Sequence, residues 1–124
     1  MAIRVEEYLR PDGTSPFRQW FERLDPQAAA KVTTALMRLT LGNTSNVRWF
    51  SGIGEYKIDW GPGYRIYLAK EAAALIILFT GGTKHRQDAD IDRALTLYQE
   101  FKAPKAGQKA AHLPPRRRRG SKRS

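Results

Sequence analysis

Two stretches of the chain gather side chains able to handle a phosphate. In Glu55-Tyr56-Lys57-Ile58-Asp59-Trp60 and Tyr64-Arg65-Ile66-Tyr67-Leu68 polar and apolar residues alternate with the period of a half-buried strand. Gly61-Pro62-Gly63 between them reads as a turn, so the two runs are expected to pair as an antiparallel hairpin. If Tyr56, Ile58, Trp60, Tyr64, Ile66 and Leu68 form the core face, then Glu55, Lys57, Asp59, Arg65 and Tyr67 project together from the other, open face. A three-residue loop would set Asp59 opposite Arg65 and Lys57 opposite Tyr67, at cross-strand Cβ separations of about 4.5 to 5.5 Å. One phenol and two cations would then converge. The plainer alternative is a solvated face on which Asp59 and Arg65 make a surface ion pair worth well under ~1 kcal/mol.

The second stretch, Gly81-Gly82-Thr83-Lys84-His85-Arg86-Gln87, is expected to leave a buried strand as a loop and enter the last helix. Backbone amides at that helix start, together with Lys84, His85 and Arg86, could meet one anion. The spacing is neither that of a P-loop nor that of a dinucleotide fingerprint. Paired glycines in such a place are often plain turn chemistry. The hairpin and the loop after an adjacent strand are neighbours in an antiparallel sheet, however, so the two stretches could share one site. Cleaving RNA without a metal requires a group that takes the 2′-hydroxyl proton, a group that protonates the leaving 5′-oxygen, and cations that stabilise the phosphorane. Lys57, Arg65, Tyr67, Lys84, His85 and Arg86 include candidates for each role. Histidine is the simplest acid or base by its unperturbed pKa; a lysine could serve if crowded cations depress its pKa. No cofactor is implied.

These residues need a scaffold. Ile3, Val5 and Leu9 suggest a first strand, and Ser15-Pro16 and Asp25-Pro26 each place a capping side chain before a proline suited to the first helical position. Phe17, Trp20, Phe21 and Leu24 make one apolar stripe, and Ala28, Val32, Ala35, Leu36 and Leu39 a second that stops near Gly42, so two helices forming a hairpin are expected. A short strand is read at Val47-Arg48-Trp49-Phe50. Leu75-Ile76-Ile77-Leu78-Phe79 is continuously apolar, as an inner strand would be. Ile91, Ala94, Leu95, Tyr98 and Phe101 fall at helical spacing behind Asp88, Asp90 and Asp92. The whole reads as α+β: an N-terminal strand and a helical hairpin packed mainly over one face of an antiparallel sheet, with a C-terminal helix.

At 124 residues one domain is expected. The net charge of +10 is unevenly spread: residues 102–124 hold four Lys, five Arg and no acid, or +9, which leaves 13 basic and 12 acidic side chains, or +1, in residues 1–101. Any nucleic-acid binding by the folded part must therefore come from local placement of charge. The division expected is a domain over 1–102 and a flexible basic tail over 103–124, where prolines and Arg116-Arg117-Arg118-Arg119 carry no apolar periodicity. With no cysteine, disulfides and cysteine-based zinc sites are excluded. No apolar run approaches the ~18 residues of a membrane span, and acids interrupt the N-terminus where a signal peptide would be apolar. A soluble cytoplasmic protein without membrane partners is expected.

The blocks Gly54-Glu55-Tyr56-Lys57-Ile58-Asp59, Gly61-Pro62-Gly63-Tyr64-Arg65-Ile66-Tyr67, Gly81-Gly82-Thr83-Lys84, Gln87 and Asp90-Ile91-Asp92-Arg93-Ala94 resemble the RelE/HigB-like branch of the RelE/ParE superfamily, the addiction-module killer proteins. The resemblance covers about residues 3–101 and omits the tail. It implies the toxin of a type II toxin–antitoxin system, neutralised in a toxin–antitoxin hetero-oligomer by a cognate antitoxin, in this branch usually a helix-turn-helix DNA-binding protein. It further implies a metal-independent mRNA endoribonuclease (an mRNA interferase) that inhibits translation by cutting messages on the ribosome, with basic sheet residues doing the chemistry. By that analogy Lys57, Arg65 and Lys84 come first and Tyr67 and Arg86 second, whereas His85 matches no dependable motif position. Two other readings stay open. ParE-type members share the fold and poison DNA gyrase without nuclease activity, and a non-enzymatic RNA- or ribosome-binding protein could draw salt-sensitive affinity from phosphate contacts at Arg116, Arg117, Arg118 and Arg119.

Overall fold

The computed structural model describes residues 2–103. Its elements are β1 (Arg4–Glu7), α1 (Pro16–Phe21), α2 (Pro26–Thr40), β2 (Val47–Phe50), β3 (Ile53–Ile58), β4 (Tyr64–Ala72), β5 (Leu75–Thr83), a 3-10 turn at Lys84–Arg86, and α3 (Gln87–Lys102). Both expected helix starts are present and have the expected cause. The Ser15 hydroxyl accepts the Arg18 N–H at 3.0 Å, and the Asp25 carboxylate accepts that of Ala28 at 2.8 Å, each just before a proline at the head of its helix.

The protein is α+β, and its five strands form one sheet in the order β1-β5-β4-β3-β2. The sheet is mixed, where an antiparallel one was expected: β1 runs parallel to β5, with Arg4 opposite Leu75 and Glu7 opposite Leu78. The α1–α2 hairpin carries the chain away from β1, so β1 caps the outer edge of a strand more than 60 residues later, a pairing that local alternation of residue types does not encode.

Alternation along the central strands sorts side chains into two cores. Tyr56, Ile58, Ile66, Leu68, Ile76 and Leu78 meet Phe17, Trp20, Val32, Ala35 and Leu39 under α1 and α2. On the opposite face Ile53, Tyr67, Ala69, Ile77 and Phe79 meet Tyr8 together with Ala94 and Leu97 of α3. The second face was expected to stay partly open and is instead covered by α3. Leu97, which falls outside the stripe read for that helix, is one of its two buried residues. The continuously apolar run from Leu75 to Phe79 in β5 follows directly, because both faces of that strand are buried.

Candidate functional site

The β3–β4 hairpin has the expected parity and a different register. It closes at Ile58 opposite Tyr64, so Lys57 lies opposite Arg65 and Glu55 opposite Tyr67. The expected Asp59–Arg65 and Lys57–Tyr67 pairs do not form. The connection spans 59–63, two residues longer than a three-residue loop, because the Trp60 N–H donates to Ile58 O at 2.9 Å and the Gly63 N–H to Trp60 O at 3.0 Å, diverting these groups from the ladder. Asp59 is left exposed in the turn. Trp60 stacks on Tyr64 at 6.1 Å between ring centroids.

The row continues onto β5, where Arg65 faces Gly82 and Tyr67 faces Thr80. A register shift between Tyr67 and Leu68 changes the parity of β5 beyond that point. Gly81 and Gly82, expected in a loop, are strand residues, and close approach explains both. A Cβ on Gly81 would lie 2.5 Å from the Trp20 ring, and one on Gly82 would lie 1.8 Å from Oδ2 of Asp90. The glycines admit an indole on one face and the first turn of α3 on the other.

Under α3 the polar side chains are buried in a connected network. Glu55, Arg65 and Tyr67 are 4%, 5% and 0% exposed, so the open polar face expected from alternation does not exist at these three positions. The Glu55 carboxylate accepts hydrogen bonds from Arg48 Nη2, the Tyr67 hydroxyl and Gln87 Nε2, all at 2.9 Å, and lies 3.7 Å from Arg65 Nε. It thereby ties β2, β3, β4 and α3 together. Burial pushes the Glu55 carboxyl up, and the bonds from Arg48, Tyr67 and Gln87 more than offset this, leaving its pKa below the ordinary value. Burial first, and then the bond to Glu55, hold the Tyr67 phenol far above its ordinary range. Tyr67 is a fixed proton donor within the network, not a group that titrates near neutrality.

Arg65 borders this network through its 3.7 Å ion pair with Glu55. Its Nη1 donates to Gly63 O at 2.7 Å, while Nε has no hydrogen bond among the described residues. A Cβ placed on Gly63 would sit 3.2 Å from Arg65 Nη1 and 3.5 Å from Lys84 Cβ, so Gly63 lies between the guanidinium and the start of the 3-10 turn. Lys57, Lys84, His85 and Arg86 are exposed, and none makes an ion pair within 4.0 Å among the described residues. The structure thus sets Lys57 opposite Arg65 and Lys84 beside Gly63, with His85 and Arg86 on the same 3-10 turn as Lys84. It moves Tyr67 from the surface to the floor.

The start of α3 is partly committed. Asp90 in its first turn accepts a hydrogen bond from the Thr83 backbone. Burial raises the Asp90 pKa against the lowering effects of Arg86, that bond and Arg93, and its Oδ2 has no hydrogen-bond partner among the described residues. An anion expected on the helix-start amides would meet this carboxylate, so the cationic side chains, not the helix terminus, form the anion-attracting surface. Arg48, Gln87 and Asp90 carry weight in the site that spacing did not reveal. Arg48 had a legible clue in the strand pattern around it, but its partner depends on the β2–β3 register, which sets it opposite Glu55. Arg116 to Arg119 lie outside the described residues. Among the described residues no three His, Asp or Glu side chains group as a metal site, and no helix is long and apolar enough to cross a membrane.

No family model matches the chain. Over 90 residues it is 40% identical to an uncharacterized protein of Haemophilus influenzae, an alignment that spans 71% of this chain and 91% of that protein.

Proposed function

We propose that this chain, which belongs to the same family as that Haemophilus influenzae protein, is a cytoplasmic RelE/HigB-type toxin of a toxin–antitoxin module that cleaves messenger RNA on the ribosome. One observation carries the reading: Lys57 is paired opposite Arg65 across the hairpin, and Gly63 lies between the Arg65 guanidinium and the Lys84 Cβ, so three basic residues are neighbours above a buried carboxylate network. In this reading the 2′-oxygen of a nucleotide attacks its own 3′-phosphate. The O2′–P bond forms, the P–O5′ bond breaks, and the products end in a 2′,3′-cyclic phosphate and a 5′-hydroxyl. Lys57 and Arg65 hold the phosphorane oxygens, and Lys84 and His85 exchange the protons at O2′ and O5′. Arg86 binds a flanking phosphate. Glu55 and Tyr67 touch no substrate and act by holding Arg65 in place. The cognate antitoxin, a helix-turn-helix protein in this reading, keeps the site covered until it is degraded.

Induction of the protein without its antitoxin is the test. Growth arrest together with new 5′-hydroxyl ends inside translated messages is the expected result. Intact messages alongside double-strand DNA breaks would replace the nuclease reading with the gyrase one. Lys57→Ala should abolish cleavage while leaving stability within ~0.5 kcal/mol, as for an exposed side chain. Arg65→Ala should abolish cleavage and also destabilise the fold, since it strips a buried carboxylate of a cation.

A further inference from the structure

A groove of about 460 Å³ opens between α2 and the outer edge of β3. It exists because β2 is short: pairing ends with Val47 opposite Tyr56, and after the Lys57 N–H donates to Asn46 O at 3.3 Å, β3 has no outer neighbour among the described residues. The α2 side of the groove presents Lys31, Thr34 and Arg38, and the β3 side presents Lys57, Asp59 and Trp60. Lys31, Thr34 and Arg38 sit at i, i+3 and i+7 on one face of the helix, so the two cations are about 10 Å apart along its axis. The Lys31 ammonium lies 5.6 Å from the Trp60 ring centroid. None of Lys31, Arg38 and Lys57 has a carboxylate within 4.0 Å among the described residues, although Asp59 lines the same groove.

Three such cations beside a half-buried indole suit a single-stranded polynucleotide, whose phosphates seek the charges and whose bases stack on aromatic rings. Position gives a direction. Lys57 lines this groove and also lies opposite Arg65, which faces the other side of the sheet, so a strand whose scissile phosphate sits at Arg65 would round the free outer edge of β3 at Lys57 to enter the groove. We infer that the α2–β3 groove is a second RNA-binding subsite, in which Lys31 and Arg38 hold phosphates one or more nucleotides away from the cut, close to the Trp60 indole. The inference rests on the RNA-cleaving reading above and names where that substrate continues.

The test compares full-length protein with the Lys31→Ala/Arg38→Ala double variant, both carrying the same basic tail. The probes are 2′-O-methyl RNA oligonucleotides of three and twelve nucleotides, which cannot be cleaved. Both substituted side chains are exposed, so the fold should tolerate their replacement, and circular dichroism checks this. For the twelve-mer the double variant should bind roughly tenfold more weakly at low salt, and the slope of log K against log salt should fall by about 0.7 for each phosphate no longer neutralised. The three-mer should bind both proteins alike. Trp60 emission should be quenched by the twelve-mer, and Trp60→Phe should remove that quenching. Equal twelve-mer affinity and slope in the two proteins would overturn the groove assignment, and cleavage of messages by the wild type would still stand. Loss of poly-glutamate binding in the double variant with RNA binding unchanged would also overturn it, reassigning the groove to an acidic protein segment. A wild type that neither binds the twelve-mer nor cleaves messages would remove both readings together.

Discussion

The two faces of the sheet are built on different principles. Under α1 and α2 the contact is apolar along its length: Phe17, Trp20, Val32, Ala35 and Leu39 meet aliphatic and aromatic side chains from β3, β4 and β5, and the two charged side chains buried among the described residues, Glu55 and Arg65, belong to the other face. Under α3 the contact is divided along the helix. Towards its C-terminal end Tyr8, Phe79 and Phe101 pack edge to face at 5.7 to 5.8 Å between ring centroids. Towards its N-terminal end Gln87 and Asp90 descend onto Glu55, Tyr67 and Gly82. One face supplies stability. The other buries a carboxylate and a guanidinium 3.7 Å apart, and the exposed cations stand at the edge of that polar half. Burying a charge costs several kcal/mol unless it is fully bonded, so a sequence retains one where orientation matters more than packing.

Substitutions within the α3 face itself separate its apolar half from its polar half. Phe79→Ala removes a fully buried ring from the apolar half and should cost about 3–5 kcal/mol in a urea titration, with little change in the activity of the protein that remains folded. A loss of activity in that folded fraction would show that the two halves of the helix interface are not separable. Glu55→Gln should cost less, about 1–3 kcal/mol, and should nevertheless abolish the proposed cleavage, because Arg65 and Arg48 lose their shared anion. Its pH dependence has a definite sign. The folded pKa of Glu55 lies below the unfolded one, so its contribution is present above the unfolded carboxylate value of about 4.3 and is lost as pH falls through the folded value. The stability difference between wild type and Glu55→Gln should therefore shrink in acid.

Asp90→Asn should give the smallest effect, with the opposite sign. The Asp90 pKa is raised in the fold, so this carboxyl favours folding below its unfolded value of about 3.9, and that contribution is lost as pH rises through the folded value. The amide keeps an oxygen for the Thr83 backbone and carries no buried charge, so Tm at pH 7 should rise by about 4 °C or less and the gain should vanish below about pH 4. A loss of Tm at pH 7 would mean that the attraction of Arg86 and Arg93 outweighs the burial of the charge.

Much of the scaffold was legible because its causes are local. Ser15-Pro16 and Asp25-Pro26 start helices through bonds to amides three residues on, and the period-two pattern sorts Tyr56, Ile58, Ile66 and Leu68 to one face wherever the hairpin closes. The cations of the site were legible as residue types. Their arrangement was not, since a register two residues away preserves parity and exchanges every partner: Lys57 meets Arg65 instead of Tyr67. Gly81-Gly82 looked like a turn because a glycine's own preference for turns is visible in a sequence, whereas the Trp20 ring and the Asp90 carboxylate that exclude a Cβ arrive from elements 61 and 8 residues away.

By itself the sequence determined the helix starts, the alternation of the strands, the α+β class, and a folded part whose net charge is close to zero beside a strongly basic C-terminal segment. Tertiary structure alone decided that β1 joins the sheet in parallel, that α3 closes the second face, and that Glu55, Arg65 and Tyr67 are buried while Lys57 and Lys84 stay at the surface. The physical reason is the same in each case. Capping and alternation act over a few residues of chain, whereas the burial of a polar side chain is set by which distant element settles on it.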